Sequence, residues 1–217
     1  MTQEKQNSGE RPMMSCKSKV LTGFFAAALF AAPHAAMAKA ELPGDPNVLI
    51  TDKMIKDIRE WLANPVVSLS INSQNRLRTD MTQDQIDAAD AQWRAEREAD
   101  DQPLVAAILT NPLSSYLTQV QARSGGLYAE IFVMDSKGLN VGQSSITSDF
   151  WQGDEGKFQN TYPNGPSAVF IDEAEYNEES DTWRSQLNMT MSDENRQPIG
   201  AVTIEVNLNE LARRGGQ

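Results

Sequence analysis

The chain has 217 residues, a net charge of −11, one Cys and one His. So acidic a surface repels phosphate backbones and anionic headgroups, which excludes nucleic acid and argues against a membrane surface as partners. Both Cys16 and His34 lie within the first 38 residues.

Those residues read as a secretory signal peptide. Arg11, Lys17 and Lys19 supply a basic segment, Val20 to Ala32 an apolar run, and Ala36-Met37-Ala38 the small-residue cleavage pattern. The run is shorter than the roughly 20 apolar residues that span a bilayer. Cys16 precedes it, where a lipoprotein cysteine follows, so lipid anchoring is disfavoured. Met13 and Met14 offer alternative starts ahead of it. Cleavage after Ala38 leaves residues 39–217, with 15 basic and 28 acidic side chains and a net charge of −13. That product has no His and no Cys, which rules out Ser-His-Asp and Cys-His catalysis and His- or Cys-ligated zinc. It has no disulfide and must be held by packing. The expectation is one periplasmic domain without a cofactor and without a membrane span after cleavage.

Along that domain, apolar residues from Leu49 through Met54, Ile55, Ile58, Trp61 and Leu62 to Ile71 recur at steps of three and four, which predicts a long N-terminal helix over about 47–76 with a break at Pro65. Thr82 and Gln85 form a capping box that opens a second helix running toward Ala99. Pro103 opens a third helical stretch, divided at Pro112 and continuing through Leu117 and Val120. The helical part therefore covers about 47–122.

At Gly125-Gly126 the period shortens to two, and the sheet part begins at about 127 and ends near 211. Strands are predicted from Leu127 to Met134, Leu139 to Ser144, Ser167 to Asp172, Thr182 to Met191 and Ile199 to Asn207, with a hairpin-like turn from Ser192 to Pro198 and a short final helix capped by Asn207 or Asn209. Simple alternation places Tyr128, Glu130, Phe132 and Met134 on one face of the first strand. The segment Thr147 to Tyr162 is too rich in Gly, Asp and Gln for a core strand and reads as a loop with one or two short helices. The six carboxylates between Asp172 and Asp181 read as a solvated hairpin connection; calcium is the lesser alternative, because the Gly and alternating acids of an EF-hand loop are missing. The fold class is α+β, a five-stranded mainly antiparallel sheet with flanking helices.

Three segments carry a resemblance. EIFVMDSKGLNVGQSS from Glu130 resembles the first hairpin, TSDFWQGDEGKFQNTY from Thr147 the helical loop over the pocket, and PIGAVTIEVNLNEL from Pro198 the closing strand and helix of Cache or PDC domains, the extracellular PAS-like sensors. The chain resembles the single-Cache variety, most strongly over Tyr128 to Leu211. The resemblance implies a PAS-like sheet, a pocket between sheet and loop for a small polar metabolite, and no enzymatic activity. It also implies signalling, here through a separate membrane receptor or kinase, because neither a later transmembrane helix nor an output domain follows. The resemblance further implies that the first helix, with Ile58 and Leu62 on its stripe, supports a homodimer; packing of that stripe against the second and third helices, and docking on a receptor, are the open alternatives.

Eight residues are candidate ligand contacts. Asp149, Trp151, Asp154, Lys157, Phe158 and Tyr162 combine aromatic walls with opposite charges, as recognition of a small polar molecule requires. Tyr128 and Ser144 join them by placement on the first two strands. Two alternatives remain open: a protein-interaction subunit without ligand, and a carboxylate hydrolase built on Asp149 and Asp154.

Overall fold

Caps written in the sequence fix where the helices begin. Thr51 accepts a hydrogen bond from the Met54 N–H at 3.3 Å, Asn64 from Val66 at 3.0 Å, and Asn111 from Ser114 at 2.8 Å. In the computed structural model, which describes residues 40–215, the predicted long N-terminal helix is accordingly three pieces: α1 (Pro46–Leu49), α2 (Asp52–Leu62) and α3 (Pro65–Leu77). The break at Pro65 lies where expected. The earlier one, at Ile50-Thr51, arises because Thr51 caps a new helix. The signal peptide lies outside the described residues.

Next come α4 (Gln83–Arg97), with the expected reciprocal Thr82–Gln85 capping box, α5 (Pro103–Leu109) and α6 (Pro112–Arg123). The sheet contains β1 (Tyr128–Met134), β2 (Asn140–Gln143), β3 (Val169–Ile171), β4 (Glu175–Asn177), β5 (Thr182–Ser192) and β6 (Pro198–Asn207). Between β2 and β3 lie α7 (Gly156–Gln159) and a 3₁₀ turn (Tyr162–Asn164), and α8 (Leu208–Arg213) follows β6 with Asn207 as its cap.

All neighbouring strands are antiparallel, in the order β2-β1-β6-β5-β3, and β4 also pairs with β5. β3 and β4 share the edge position beside β5, so six strands fill the five positions expected. β4 is the strand that the acidic run concealed. Asn177 accepts hydrogen bonds from the Ser180 N–H and hydroxyl, closing a tight hairpin, and Tyr176 meets Trp183 across it with ring centroids 5.4 Å apart.

The two faces of the sheet bury different things. Ile131, Val133, Leu187, Met189, Val202, Ile204 and Val206 pack against α2, α3, α6 and α8 in the main core, where Ile58, Ile71, Leu113 and Leu117 are fully buried. On the opposite face Phe132, Met134 and Ala201 are covered by Phe158 and Tyr162. A third cluster, with Trp93, Ile108, Leu139 and Phe150, joins α4 and α5 to the loop after β2.

A bulge changes one expectation. Tyr128 is paired with Val206 and Glu130 with Glu205, so Ala129 is an extra residue in the ladder. The inserted residue moves Tyr128 to the helical face, where it meets Trp61 at 6.1 Å between ring centroids. It does not share a face with Glu130, Phe132 and Met134.

Candidate functional site

The loop from Thr147 to Gly165 covers the second face of the sheet and is held from several sides. Asp90 of α4 accepts hydrogen bonds from the backbone N–H groups of Phe150 (2.8 Å) and Trp151 (3.0 Å). The Trp93 indole N–H donates to the Thr147 carbonyl at 3.0 Å, and the Asn140 amide to Thr147 Oγ1 at 2.8 Å. Trp151 donates its indole N–H to the Lys137 carbonyl at 2.8 Å and forms a β-bridge with Leu139.

Beyond this anchored segment, α7 and the β5–β6 side of the sheet enclose a cavity of about 210 Å³. Its wall includes Glu155 and Lys157 of the loop, Arg184 and Gln186 of β5, Glu205 of β6, and Asp172, Glu173 and Glu175 from the β3–β4 edge. Lys157 is held within its own loop, with its ammonium 2.9 Å from Glu155 and 3.2 Å from Gln152 Oε1, and lies 5.4 Å from the centre of the Phe132 ring on the sheet. Arg184 pairs with Glu205 at 2.8 Å and donates to the Ser180 hydroxyl at 2.9 Å. Stacked Phe158 and Tyr162, with centroids 5.2 Å apart, back this charged set.

Glu130 stands beside the cavity, on β1, directly across the ladder from Glu205. Burial, and then the Glu205 charge, push its carboxyl up to about 7, against the opposing pull of Lys157 and Arg184. Two carboxylates and two cations thus meet where the sheet floor turns toward the loop.

The structure gathers only part of the predicted contact set. Lys157 lines the cavity, with Phe158 and Tyr162 behind it. Asp149 faces Arg94 at 3.1 Å, and Asp154 is exposed, acting on the same guanidinium. Neither lines the cavity, so the two carboxylates considered for hydrolysis do not flank it. Trp151 packs with the third cluster, Ser144 accepts a hydrogen bond from the Ile131 N–H at 2.9 Å, and Tyr128 is on the other face. Arg184, Glu205 and Glu130 were missed. For Glu130 and Glu205 the signal was a lone charge within an otherwise apolar strand, between Ala129 and Ile131 and between Ile204 and Val206; Arg184, beside Ser185 and Gln186, carried no such signal.

Among the described residues, no group of three or more Asp, Glu, His or Cys side chains is placed to hold a metal ion, and no helix is long and apolar enough to cross a membrane.

No family model matches the chain, and no curated protein does. Solved structures do. The ligand-binding domain of the Campylobacter jejuni chemoreceptor Tlp3, in complex with 4-methylisoleucine, is 11% identical over 71% of this chain and 65% of that one, with a TM-score of 0.36. The ligand-binding domain of the Pseudomonas aeruginosa amino acid chemoreceptor PctC, in complex with GABA, is 11% identical over 68% and 60%, with a TM-score of 0.34. The Escherichia coli DcuS sensor domain is 16% identical over 62% and 94%, with a TM-score of 0.36. The chain thus spans less than two thirds of the two chemoreceptor domains. All three are sensor or ligand-binding domains, the class that the sequence resembles.

Proposed function

We propose that the protein is an exported, periplasmic binding module that holds a small polar metabolite between the loop and the sheet and passes that state to a separate membrane receptor or kinase. The observation that carries this reading is the cavity beside α7, where Lys157 from the loop and Arg184 and Glu205 from the sheet line one space. A ligand there touches both the loop and the sheet, so occupancy changes how firmly the loop is held. The signal-peptide pattern supports export, and the resemblance to Cache domains supports a sensory role.

Thermal-shift screening of the exported protein against amino acids, organic acids, amines and purines tests it. A ligand at 100 times its Kd stabilises the folded state by about 2.7 kcal/mol. The shift should vanish in Glu205→Gln. If no compound stabilises the wild type, the ligand reading fails.

A second reading is an interaction subunit without ligand. It draws on α3, where Leu69 and Leu77 are 67% and 76% exposed. The surface it needs is not the stripe with Ile58 and Leu62, since both are buried in the core. Leu69→Glu with Leu77→Glu should then abolish capture of a receptor or of a second copy, and leave folding intact.

A further inference from the structure

Glu130 and Glu205 are directly opposed across the β1–β6 ladder, on the face that the loop covers. Like charges in that position repel, and half-burial strengthens the repulsion by weakening solvent screening. Arg184 answers only one of them, bonding to Glu205 at 2.8 Å. Lys157 is engaged by Glu155 and Gln152. Among the described residues, the Glu130 carboxyl has no hydrogen-bonded or ion-paired partner. A local conflict of this kind, kept within a well-packed sheet, is characteristic of functional sites.

The cavity next to this pair is itself unbalanced. Five carboxylates face two cations in its wall, and both cations are already in ion pairs. An anion entering it meets uncompensated like charge, whereas a cation meets Glu205 and, behind it, a carboxyl in need of a partner. We propose that the cavity takes a small ligand bearing a positively charged nitrogen, and that Glu130 releases its proton to solvent as that ligand binds.

This rests on the cavity being the ligand site and adds the ligand's charge and its coupling to a proton. The charged groups that act on Glu130 are Glu205 of β6, Arg184 of β5 and Lys157 of α7. With the cavity empty, burial and Glu205 outweigh the two cations and favour the neutral carboxyl. A nearby ammonium or guanidinium tips the balance to the carboxylate, so affinity for a cation rises with pH while affinity for an anion falls.

Calorimetric titration with 1,4-diaminobutane, and with succinate as an anion of the same length, tests this at pH 5.5 and pH 8.5 in buffers of differing ionisation heat. The diamine should bind at least about tenfold more tightly at the higher pH and release a proton on binding near neutrality. Glu130→Gln should bind it equally at both pH values and release none. Absence of diamine binding, binding without proton release, proton release that survives Glu130→Gln, or preference for succinate overturns the proposal. The binding-module reading falls only if the whole screening panel also fails. Carbon-13 titration of the Glu130 carboxyl in the ligand-free protein provides a check independent of the variant: a midpoint near neutrality, lowered by saturating diamine, is expected, and an unmoved midpoint overturns the coupling.

Discussion

The Asp135 carboxylate, fully buried at the end of β1, meets the Arg78 guanidinium at 2.7 Å. Its other oxygen accepts hydrogen bonds from the N–H groups of Lys137 (2.8 Å) and Leu139 (3.1 Å), so one side chain both closes the β1–β2 turn and ties it to the end of α3. Arg78 in turn lies over the Phe150 ring, 5.2 Å from its centre, at the start of the loop over the second face. This ion pair is thus one of the links between the helical and sheet halves, beside the shared core.

Removing one member leaves the other charged and buried. Arg78→Ala should therefore cost about 3–5 kcal/mol, where Lys53→Ala, which breaks an exposed and solvent-screened pair with Asp57, should leave the midpoint nearly unchanged. Urea denaturation of the two variants decides this. Equal midpoints would show that the Asp135 turn does not depend on its partner.

Helix starts and most strand positions along the chain are legible in this sequence because their causes are local. Thr82 with Gln85, Asn64 before Pro65, and Asn111 before Pro112 each name a cap within four residues, and of the two candidates Asn207 and Asn209 it is Asn207 that caps α8. What local pattern cannot show is pairing. β4 lies in an acidic run whose only apolar side chain beyond Ala174 is Tyr176, and it becomes a strand because Trp183 is across the hairpin. The bulge at Ala129 likewise depends on β6, and it sends Tyr128 to the wrong face for a cavity residue. The site was half visible for the same reason. Lys157, Phe158 and Tyr162 stand out as a cluster in one loop, whereas Arg184 and Glu205 are brought to them only by the sheet register.

Asp90 shows how far the loop depends on α4. It is the acceptor for two adjacent backbone N–H groups, at Phe150 and Trp151, while Arg94 holds its second oxygen at 2.7 Å. Asp90→Ala should destabilise the protein by about 2–4 kcal/mol through the unsatisfied donors. Hydrogen exchange should speed up at those two amides before the β5–β6 ladder is affected. Unchanged exchange there would mean that packing of Phe150 against Trp93, 5.3 Å apart in a stacked pair, suffices.

Trp151 and Lys157 separate support from recognition. Trp151→Phe deletes the indole hydrogen bond to Lys137 and should cost about 1–2 kcal/mol of stability, with the affinity for a stabilising ligand essentially unchanged. Lys157→Ala should do the reverse, leaving the melting temperature near wild type and strengthening binding of a cationic ligand, because a like charge leaves the cavity wall. Loss of binding in Trp151→Phe would place the site on the other side of the loop.

Gly200 marks a close approach of β6 to β1. A Cβ there would overlap the Met134 carbonyl oxygen, a backbone atom that no rotamer change can move. Gly200→Ala should then cost about 1–3 kcal/mol as an overpacked position, and spread amide-shift changes along Met134 and Asp135. A stability equal to wild type would contradict the approach.

Glu130 gives the fold a pH dependence of unusual sign. Its carboxyl is pushed up to about 7 in the folded state from an ordinary value of 4.5, chiefly by burial and then by Glu205. Between those values the folded protein holds a proton that the unfolded chain has lost, so stability falls as pH rises from 4.5 to 7 and is level on either side. The size of the fall is on the order of 3 kcal/mol for a shift of this extent. Glu210 acts outside that window: its hydrogen bonds from Arg213 and Arg214 lower it to about 2, and the stability it contributes is lost only as pH falls below 4.5. Urea denaturation at pH 5 and pH 8 should therefore show the wild type less stable at pH 8, and Glu130→Gln, neutral throughout, should lose that difference. Parallel profiles for the two proteins would mean that Glu130 is ionised in the folded state at both pH values, with Lys157 and Arg184 outweighing burial.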